Sequence, residues 1–452
     1  MTSALQSYLD DHDAGARDLL VRLCRQPSVS AQHLGMGEMA ALVEQLLAEA
    51  GFTPERFAVP DAPPIIFGER RGRSPYTLLL YNHYDVQPPE PFELWDSPPF
   101  EPAIRDGKLF ARGASDNKSE IAARLSAIQA LVATEGELPI TLKWLIEGEE
   151  EVGSPHFEDI IAPHKQQLAA DACLWEGAGF DVQGRPELGL GSKGLLYVQL
   201  DVQCLSRDAH SGGAPVLPSA AWRLVQALAT LKDASGRITI PGFHDAVLPP
   251  SEAQIAALRE QPVMDEEMKA TYGVERFVDG LTGHDLFVRQ AFAPTCNIAG
   301  LESGYTGEGS KTVLPAKAMA KIDFRLVPDQ EPGDILAKLR AHLDAQGYPD
   351  IQITTFETAE PVVTPLEAPI VRRIAAIAES FEGKRPSITP LSGGTLPLLG
   401  ALKRQVGVPG LGAPGNAVYY GSLAHSPNEH IRLADLERAV RFNCHLFAQL
   451  GV

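Results

Sequence analysis

Two kinds of hydrophobic pattern run along the chain. The first is a short unbroken apolar run, seen in YTLLLYNHYDV (76–86), PITLKWLIE (139–147) and DACLWEG (171–177). Strands covered on both faces read this way, as in a parallel sheet layered between helices. Between the first two runs, Ile121, Leu125, Ile128 and Leu131 recur at the spacing of one helix face, so strand–helix–strand units are expected. The second pattern is strict alternation. In LLYVQLDVQC (195–204), Leu196, Val198, Leu200, Val202 and Cys204 face one way and Gln199, Asp201 and Gln203 the other. KAMAKIDFRL (317–326) repeats this, with Ala318, Ala320, Ile322, Phe324 and Leu326 against Lys321, Asp323 and Arg325. Such alternation predicts an antiparallel sheet with one wet face. Helical patterns at 219–232 and 333–346, the latter closed by Gly347, are placed to cover the other face.

These patterns predict an α/β fold: a larger α/β domain on a mostly parallel central sheet, residues 1–190 and 364–452, with an α+β domain of antiparallel sheet and two helices inserted at 191–363. No repeat of fixed period is present. Residues 86–102 hold six prolines and read as a stiff loop. Composition acts mainly by exclusion. The chain has 452 residues, 44% apolar and 21% charged, which is ordinary for a globular protein of two or three domains. Its 39 Lys+Arg against 58 Asp+Glu give a net charge of −19 and no basic cluster, which argues against nucleic acid as a partner. Cys24, Cys173, Cys204, Cys296 and Cys444 are scattered without a CxxC pair and read as reduced thiols. The N-terminal stretch lacks the basic and apolar regions of a secretory signal, and no run approaches the roughly 20 apolar residues of a membrane span. A cytoplasmic protein without a membrane partner is the expectation.

Ligands of open α/β sheets collect beyond the carboxyl ends of the strands, and the residues there are of metal-binding types. His83 and Asp85 end the first run, where Asp85 is placed to accept the second ring N–H of His83 and orient it. Asp116 lies in a turn before the helix, Glu147, Glu149, Glu150 and Glu151 follow the second run, Glu176 follows the third, and His425 sits in a loop near the C-terminus. Taken singly, an HxD pair, a glutamate-rich stretch and a loop histidine are ordinary surface features. Their common position beyond buried strands is what points to a site. Carboxylates crowded there would repel one another and hold protons unless multivalent cations sat among them. Two imidazoles among carboxylates suit zinc best, with manganese or cobalt feasible, and do not resemble an all-oxygen magnesium or calcium cage. No GxSxG or HExxH motif occurs, and GYTGEGSKT (304–312) misses the phosphate-loop pattern because Ser310 separates Gly309 from Lys311.

Read together, His83-Tyr84-Asp85-Val86-Gln87-Pro88, Arg112-Gly113-Ala114-Ser115-Asp116-Asn117-Lys118 and Glu147-Gly148-Glu149-Glu150-Glu151-Val152-Gly153-Ser154 resemble the co-catalytic di-zinc metallopeptidases. Within them the likeness is greatest to the branch of carnosinase and the cytosolic nonspecific dipeptidase, with aminoacylase, glutamate carboxypeptidase and desuccinylase more distant. It extends from QPSVSA (26–31) to AHSPNEH (424–430) and includes PTCNIAGLESGYTGEGSKTVLPAK (294–317) and DFRLVP (323–328). The resemblance implies that His83 and Glu176 hold one metal, Glu151 and His425 the other, and Asp116 both. It implies Glu150 as general base and Asp85 as the residue orienting His83. It also implies two divalent ions per subunit and a homodimer in which His210, from DAHSGG, stabilises an oxyanion in the partner's site. Thr312 resembles a second contact from the partner, and Arg325 and Thr395 resemble residues that bind the substrate's carboxylate. Ser119 stands where the pattern usually has Gly, and Glu176 where the nearest dipeptidases have Asp.

The expected function is metal-dependent hydrolysis of the amide bond in dipeptides or similar small substrates with a free carboxylate, with Glu150 moving the proton. Two alternatives remain: an N-acyl-amino-acid deacylase or carboxypeptidase, and a metal-stabilised binding protein without catalysis.

Overall fold

The computed structural model of the chain describes residues 1–12, 14–419 and 421–452. The three unbroken apolar runs form the strands Gly72–His83, Leu138–Glu147 and Ala172–Trp175. They lie side by side and parallel in an eight-stranded sheet, with Gly72–His83 between the other two. Gly410–Gly412 adds a further parallel neighbour to Ala172–Trp175, and Ser387–Thr389 runs parallel to Glu187–Gly189 at one edge. Antiparallel pairs, Thr53–Phe57 with Ile65–Arg70 and Ile65–Arg70 with Leu138–Glu147, close the other edge. The sheet is mostly parallel, as the continuous apolar runs require, because both of its faces carry helices.

Ile121, Leu125, Ile128 and Leu131 all lie buried on the helix Ser119–Glu135, which packs between Ala14–Arg25 and the last helix, Leu433–Leu450. Ser119 starts this helix with ordinary right-handed backbone (φ −65°, ψ −33°), so the absence of glycine there costs nothing in conformation. The proline-rich segment 86–102 is irregular apart from one short turn, Phe92–Leu94.

The alternating segments form Gly194–Gln203 and Lys317–Leu326, paired antiparallel in a four-stranded sheet of order Asn297–Ser303, Lys317–Leu326, Gly194–Gln203, Gln352–Ala359. Leu196, Val198, Leu200, Ala320, Ile322 and Phe324 pack against Leu224 of the helix Ala220–Leu228 and against Ile335, Leu339 and Leu343 of Pro332–Ala345. Gly347 (φ +86°) ends the second helix, where the amide of Tyr348 returns to the Leu343 carbonyl. The apolar cluster of this sheet is separate from that of the eight-stranded sheet. The chain passes between the two sheets at Gly191–Ser192 and Val362–Val363, and these two segments pair with each other.

Three helices, Glu252–Arg259, Asp265–Tyr272 and His284–Phe292, have no counterpart in the hydrophobic pattern. Leu258 and Ala291 pack with Leu391 near the edge strand Ser387–Thr389. Among the described residues no helix is long and apolar enough to cross a membrane.

Candidate metal centre

The strand order sets the first two positions. His83 is the last residue of the central strand, and Glu176 directly follows the neighbouring one. Behind them the segment 26–31 braces the turn: Ser28 Oγ donates to the Tyr84 carbonyl at 2.7 Å, and the Val86 amide donates to the Ser28 carbonyl at 2.9 Å. Gly148, next to Glu147, passes so close to Tyr84 that a Cβ there would lie 2.4 Å from the ring. Asp85 does more than its spacing suggests. The Nδ1 of His83 is 3.0 Å from the Asp85 backbone carbonyl oxygen and 3.4 Å from its carboxylate. The carboxylate oxygens accept the backbone N–H groups of Glu150 at 3.2 Å and Glu151 at 3.0 Å. One fully buried side chain therefore fixes both the His83 turn and the Glu150–Glu151 turn.

Asp116 lies in an irregular turn, Ala114–Lys118, entered through Gly113 at φ +81°. A Cβ at Gly113 would approach Val86 to 2.5 Å, so glycine is required there both for its backbone and for its bareness. Asp116 Oδ1 is 3.0 Å from His83 Nε2 and Oδ2 is 3.0 Å from His425 Nε2, so the carboxylate spans the two imidazoles. Glu176 Oε2 is 3.1 Å from His83 Nε2, and Glu151 Oε2 is 3.2 Å from His425 Nε2. Ligand atoms of His83, Glu150 and Glu176 lie within 4.8 Å of one another, as do those of His83, Asp116 and Glu151.

Proton counting shows what this arrangement fits. Each Nε2 faces two carboxylate oxygens, and an imidazole nitrogen has at most one proton to give. Glu176 Oε2 is buried and left without a hydrogen-bond partner. A divalent cation in each imidazole–carboxylate group would take all three donor atoms, with Asp116 common to both groups. The charges tell the same story. Burial and then the Glu176 charge push the Glu150 carboxyl well above the usual range. Burial also raises Glu176, against the pull of His83. The hydrogen bond to Asp116, followed by that to Glu151, lifts His425 to about 10. Burial opposes charge on Asp116, but hydrogen bonds from His425 and His83 outweigh it and hold the carboxyl well below its ordinary value. The donor set of nitrogen and oxygen fits two ions of a borderline metal.

The remaining expected residues form two further groups. Arg325 Nη1 donates to Thr395 Oγ1 at 2.7 Å, so these two meet across the junction of the sheets. His210 and Thr312 also come together: Ala209–His210 pairs with Val313–Leu314, and the Ser211 amide donates to the Thr312 carbonyl at 3.3 Å. His210 and Thr312 are exposed, and His210 Nδ1 accepts the Gly212 amide at 3.0 Å. Among the described residues no hydrogen bond or ion pair joins them to the carboxylate cluster.

Of two further buried polar residues of the centre, Glu429 escaped the sequence reading, and Glu147 was read only as one of a run of acids. Glu429 is fully buried and receives the backbone N–H groups of Gly113, Ser115 and Asp116. Glu147 accepts from Tyr81 Oη at 2.5 Å and Ser154 Oγ at 3.0 Å, and burial lifts its carboxyl to about 8. The signal for Glu429 was present in AHSPNEH, where an acidic residue follows His425 in the same loop.

The profile of peptidase family M20/M25/M40 matches residues 79–449. The chain belongs to that family. Its M20 relatives include the human Beta-Ala-His dipeptidase, 32% identical over 287 residues that make up 62% of this chain and 56% of the relative. The Cys-Gly metallodipeptidase of Saccharomyces cerevisiae is 29% identical over 66% of this chain and 64% of its own length. The matched stretch thus spans only somewhat more than half of these curated relatives. An M20 family metallo-carboxypeptidase from Sulfolobus solfataricus has a crystal structure that superposes with a TM-score of 0.91 at 35% identity, covering 96% of this chain and 99% of that one. The M20 fold, a large mostly parallel sheet with a separate antiparallel sheet, is the fold observed here.

Proposed function

We propose that the protein is a dinuclear metal-dependent hydrolase that cleaves the amide bond of dipeptides and similar small substrates with a free carboxylate. The observation that carries this reading is the pair of imidazole nitrogens each facing two carboxylate oxygens, with Asp116 shared between them. His83, Glu176 and Asp116 would hold one ion and Glu151, His425 and Asp116 the other, zinc by preference and manganese or cobalt as substitutes. Such ions, when bound, polarise the scissile carbonyl and make water acidic enough to lose a proton near neutral pH. Glu150 binds no ion in this scheme. It lies within 4.8 Å of the His83 and Glu176 ligand atoms, where it can take the proton from water and return it to the leaving amine. Asp85 orients His83 and fixes the Glu150–Glu151 backbone.

Arg325, with Thr395 at its tip, is placed to grip the substrate carboxylate, a group that a guanidinium fork matches. His210 and Thr312 act from the partner subunit, His210 on the oxyanion, so the active form is a homodimer. Residues 191–363 then form an inserted domain on the body made by 1–190 and 364–452. Its separate apolar cluster and paired crossings support that division. Unpaired thiols, four of them buried, suit a cytoplasmic location.

A carboxypeptidase acting on longer peptides is the second reading, favoured by the likeness to the Sulfolobus enzyme over nearly the whole chain. A panel of dipeptides, longer peptides and N-acetyl amino acids separates these. Turnover should be fastest on dipeptides, vanish with a chelator and return with zinc, manganese or cobalt. Glu150→Gln should retain both ions and lose at least about a hundredfold in kcat. A variant as active as wild type would remove Glu150 from the mechanism, and metal-independent turnover would remove the centre itself.

A further inference from the structure

We infer that Glu429 is a positioning residue for the metal centre: it holds the Asp116 carboxylate in the orientation that lets one side chain serve two ions. The inference rests on the reading of Asp116 as the shared ligand and adds the residue that makes such sharing possible.

A carboxylate can bridge two ions only if its plane is fixed against both. Among the described residues the two imidazoles are the hydrogen-bond partners of the Asp116 carboxylate, and its backbone (φ −118°, ψ 92°) departs from the turn around it. What holds that backbone is Glu429. Its Oε1 accepts the amides of Ser115 at 2.8 Å and Asp116 at 2.9 Å, and its Oε2 accepts the amide of Gly113 at 2.8 Å and Arg112 Nη1 at 2.7 Å. Successive amides converging on one point form an anion nest, and here the anion is supplied by the chain itself. Glu429 and Arg112 are both about 1% exposed, so the pair is shielded from solvent and its geometry is not averaged by water.

The location of Glu429 matters as much as its bonds. It lies four residues beyond His425 in a loop that returns to Phe110 through the strand His430–Arg432. The Ala111 amide donates to the Glu429 carbonyl at 3.1 Å, and Ser115 Oγ donates to Ser422 Oγ at 2.9 Å. Glu429 therefore locks the loop carrying His425 to the turn carrying Asp116, although more than three hundred residues separate them in the chain. Asp85 performs the matching service for Glu150 and Glu151 on the opposite side. The centre is framed by two buried carboxylates that accept backbone N–H groups of the segments carrying the candidate ligands.

Glu429→Gln replaces one acceptor oxygen by an N–H₂ group that faces a backbone donor, and Glu429→Asp withdraws the carboxylate by one methylene while keeping the charge. Ion content by elemental analysis, ion affinity by competition with a chromophoric chelator, and the visible spectrum of the cobalt-loaded protein are compared with wild type. Both variants should bind the ions roughly 10- to 100-fold more weakly, the size expected for loss of a group that orients a ligand, with an altered cobalt spectrum. Unfolding of the metal-free proteins separates this from loss of fold. If neither variant folds, the decision passes to hydrogen exchange on metal-free wild type. The peptide covering residues 112–118 should exchange slowly, because the nest exists without ions. Variants with wild-type ion affinity and cobalt spectrum, or free exchange of that peptide, would overturn the inference. Wild-type protein that binds no ions would instead overturn the underlying reading of Asp116.

Discussion

At the scale of single residues, the chemistry of the centre is decided by which atoms are left to bind and which are already occupied. Asp85 shows the distinction. Both of its oxygens are occupied by the amides of Glu150 and Glu151, so it acts as a fixed anion under the site rather than as a ligand. Asp85→Asn keeps the size but turns an N–H₂ group toward one of these amides, leaving a buried donor unmatched at a cost of about 1–3 kcal/mol. The metal-free variant should unfold at correspondingly lower urea concentration. Its kcat should fall more than its KM rises, because in the proposed scheme the displaced Glu150 handles the moving proton while Arg325 still holds the substrate. A variant with lowered stability and unchanged kcat would confine Asp85 to structure. The spacing in HYD put Asp85 beside His83, but the strand ends at His83, whose Nδ1 meets the Asp85 backbone carbonyl at 3.0 Å with the carboxylate 3.4 Å away. The hold of Asp85 on Glu150 and Glu151 was not legible, because that contact joins two strands whose adjacency no local pattern reveals.

At the scale of elements, legibility followed length and periodicity. The long strands and the helices Ser119–Glu135 and Pro332–Ala345 announced themselves, since each buries a continuous stripe. The short strands Gly410–Gly412 and Glu187–Gly189, inside the sheet, did not, because three residues carry no period and their pairing is settled by the sheet they join. The helix Glu252–Arg259 left a subtler sign, the capping box of Ser251 and Gln254, in a segment without a strong apolar stripe. The separateness of the two apolar clusters makes a prediction about the antiparallel sheet. Phe324 is fully buried against Phe243 in its cluster, so Phe324→Ala should destabilise that sheet by about 3–5 kcal/mol. Urea titration should show an early transition in the variant while the remaining folded body keeps its full ion content. A single cooperative transition with ions lost in parallel would mean that the two sheets unfold as one unit.

At the scale of the whole molecule, the proposed function asks for a residue from a second copy. His210 and Thr312 are exposed and, among the described residues, joined to the carboxylate cluster by no hydrogen bond or ion pair, and the edge strand Asn297–Ser303 presents Ile298 and Leu301 at 49% and 55% exposure. An unpaired edge of this kind invites a further strand. Trp222 and Val225, on the outer side of the helix Ala220–Leu228, extend the exposed apolar surface of the same unit. A second copy that covered this face could bring its His210 toward the first copy's centre, as the proposed homodimer requires. Complementation tests the arrangement directly. His210→Ala alone should be slow with full ion content, and Glu150→Gln alone should be inactive. When the two are mixed and allowed to exchange subunits, a heterodimer contains one site with an intact Glu150 from one chain and an intact His210 from the other. Random pairing makes half of the dimers mixed, each with one working site of two, so activity should recover to about a quarter of wild type. A mixture no faster than the mean of its two parents would place His210 in the service of its own chain, and the segment carrying His210 would then have to swing inward to reach the carbonyl it is meant to polarise.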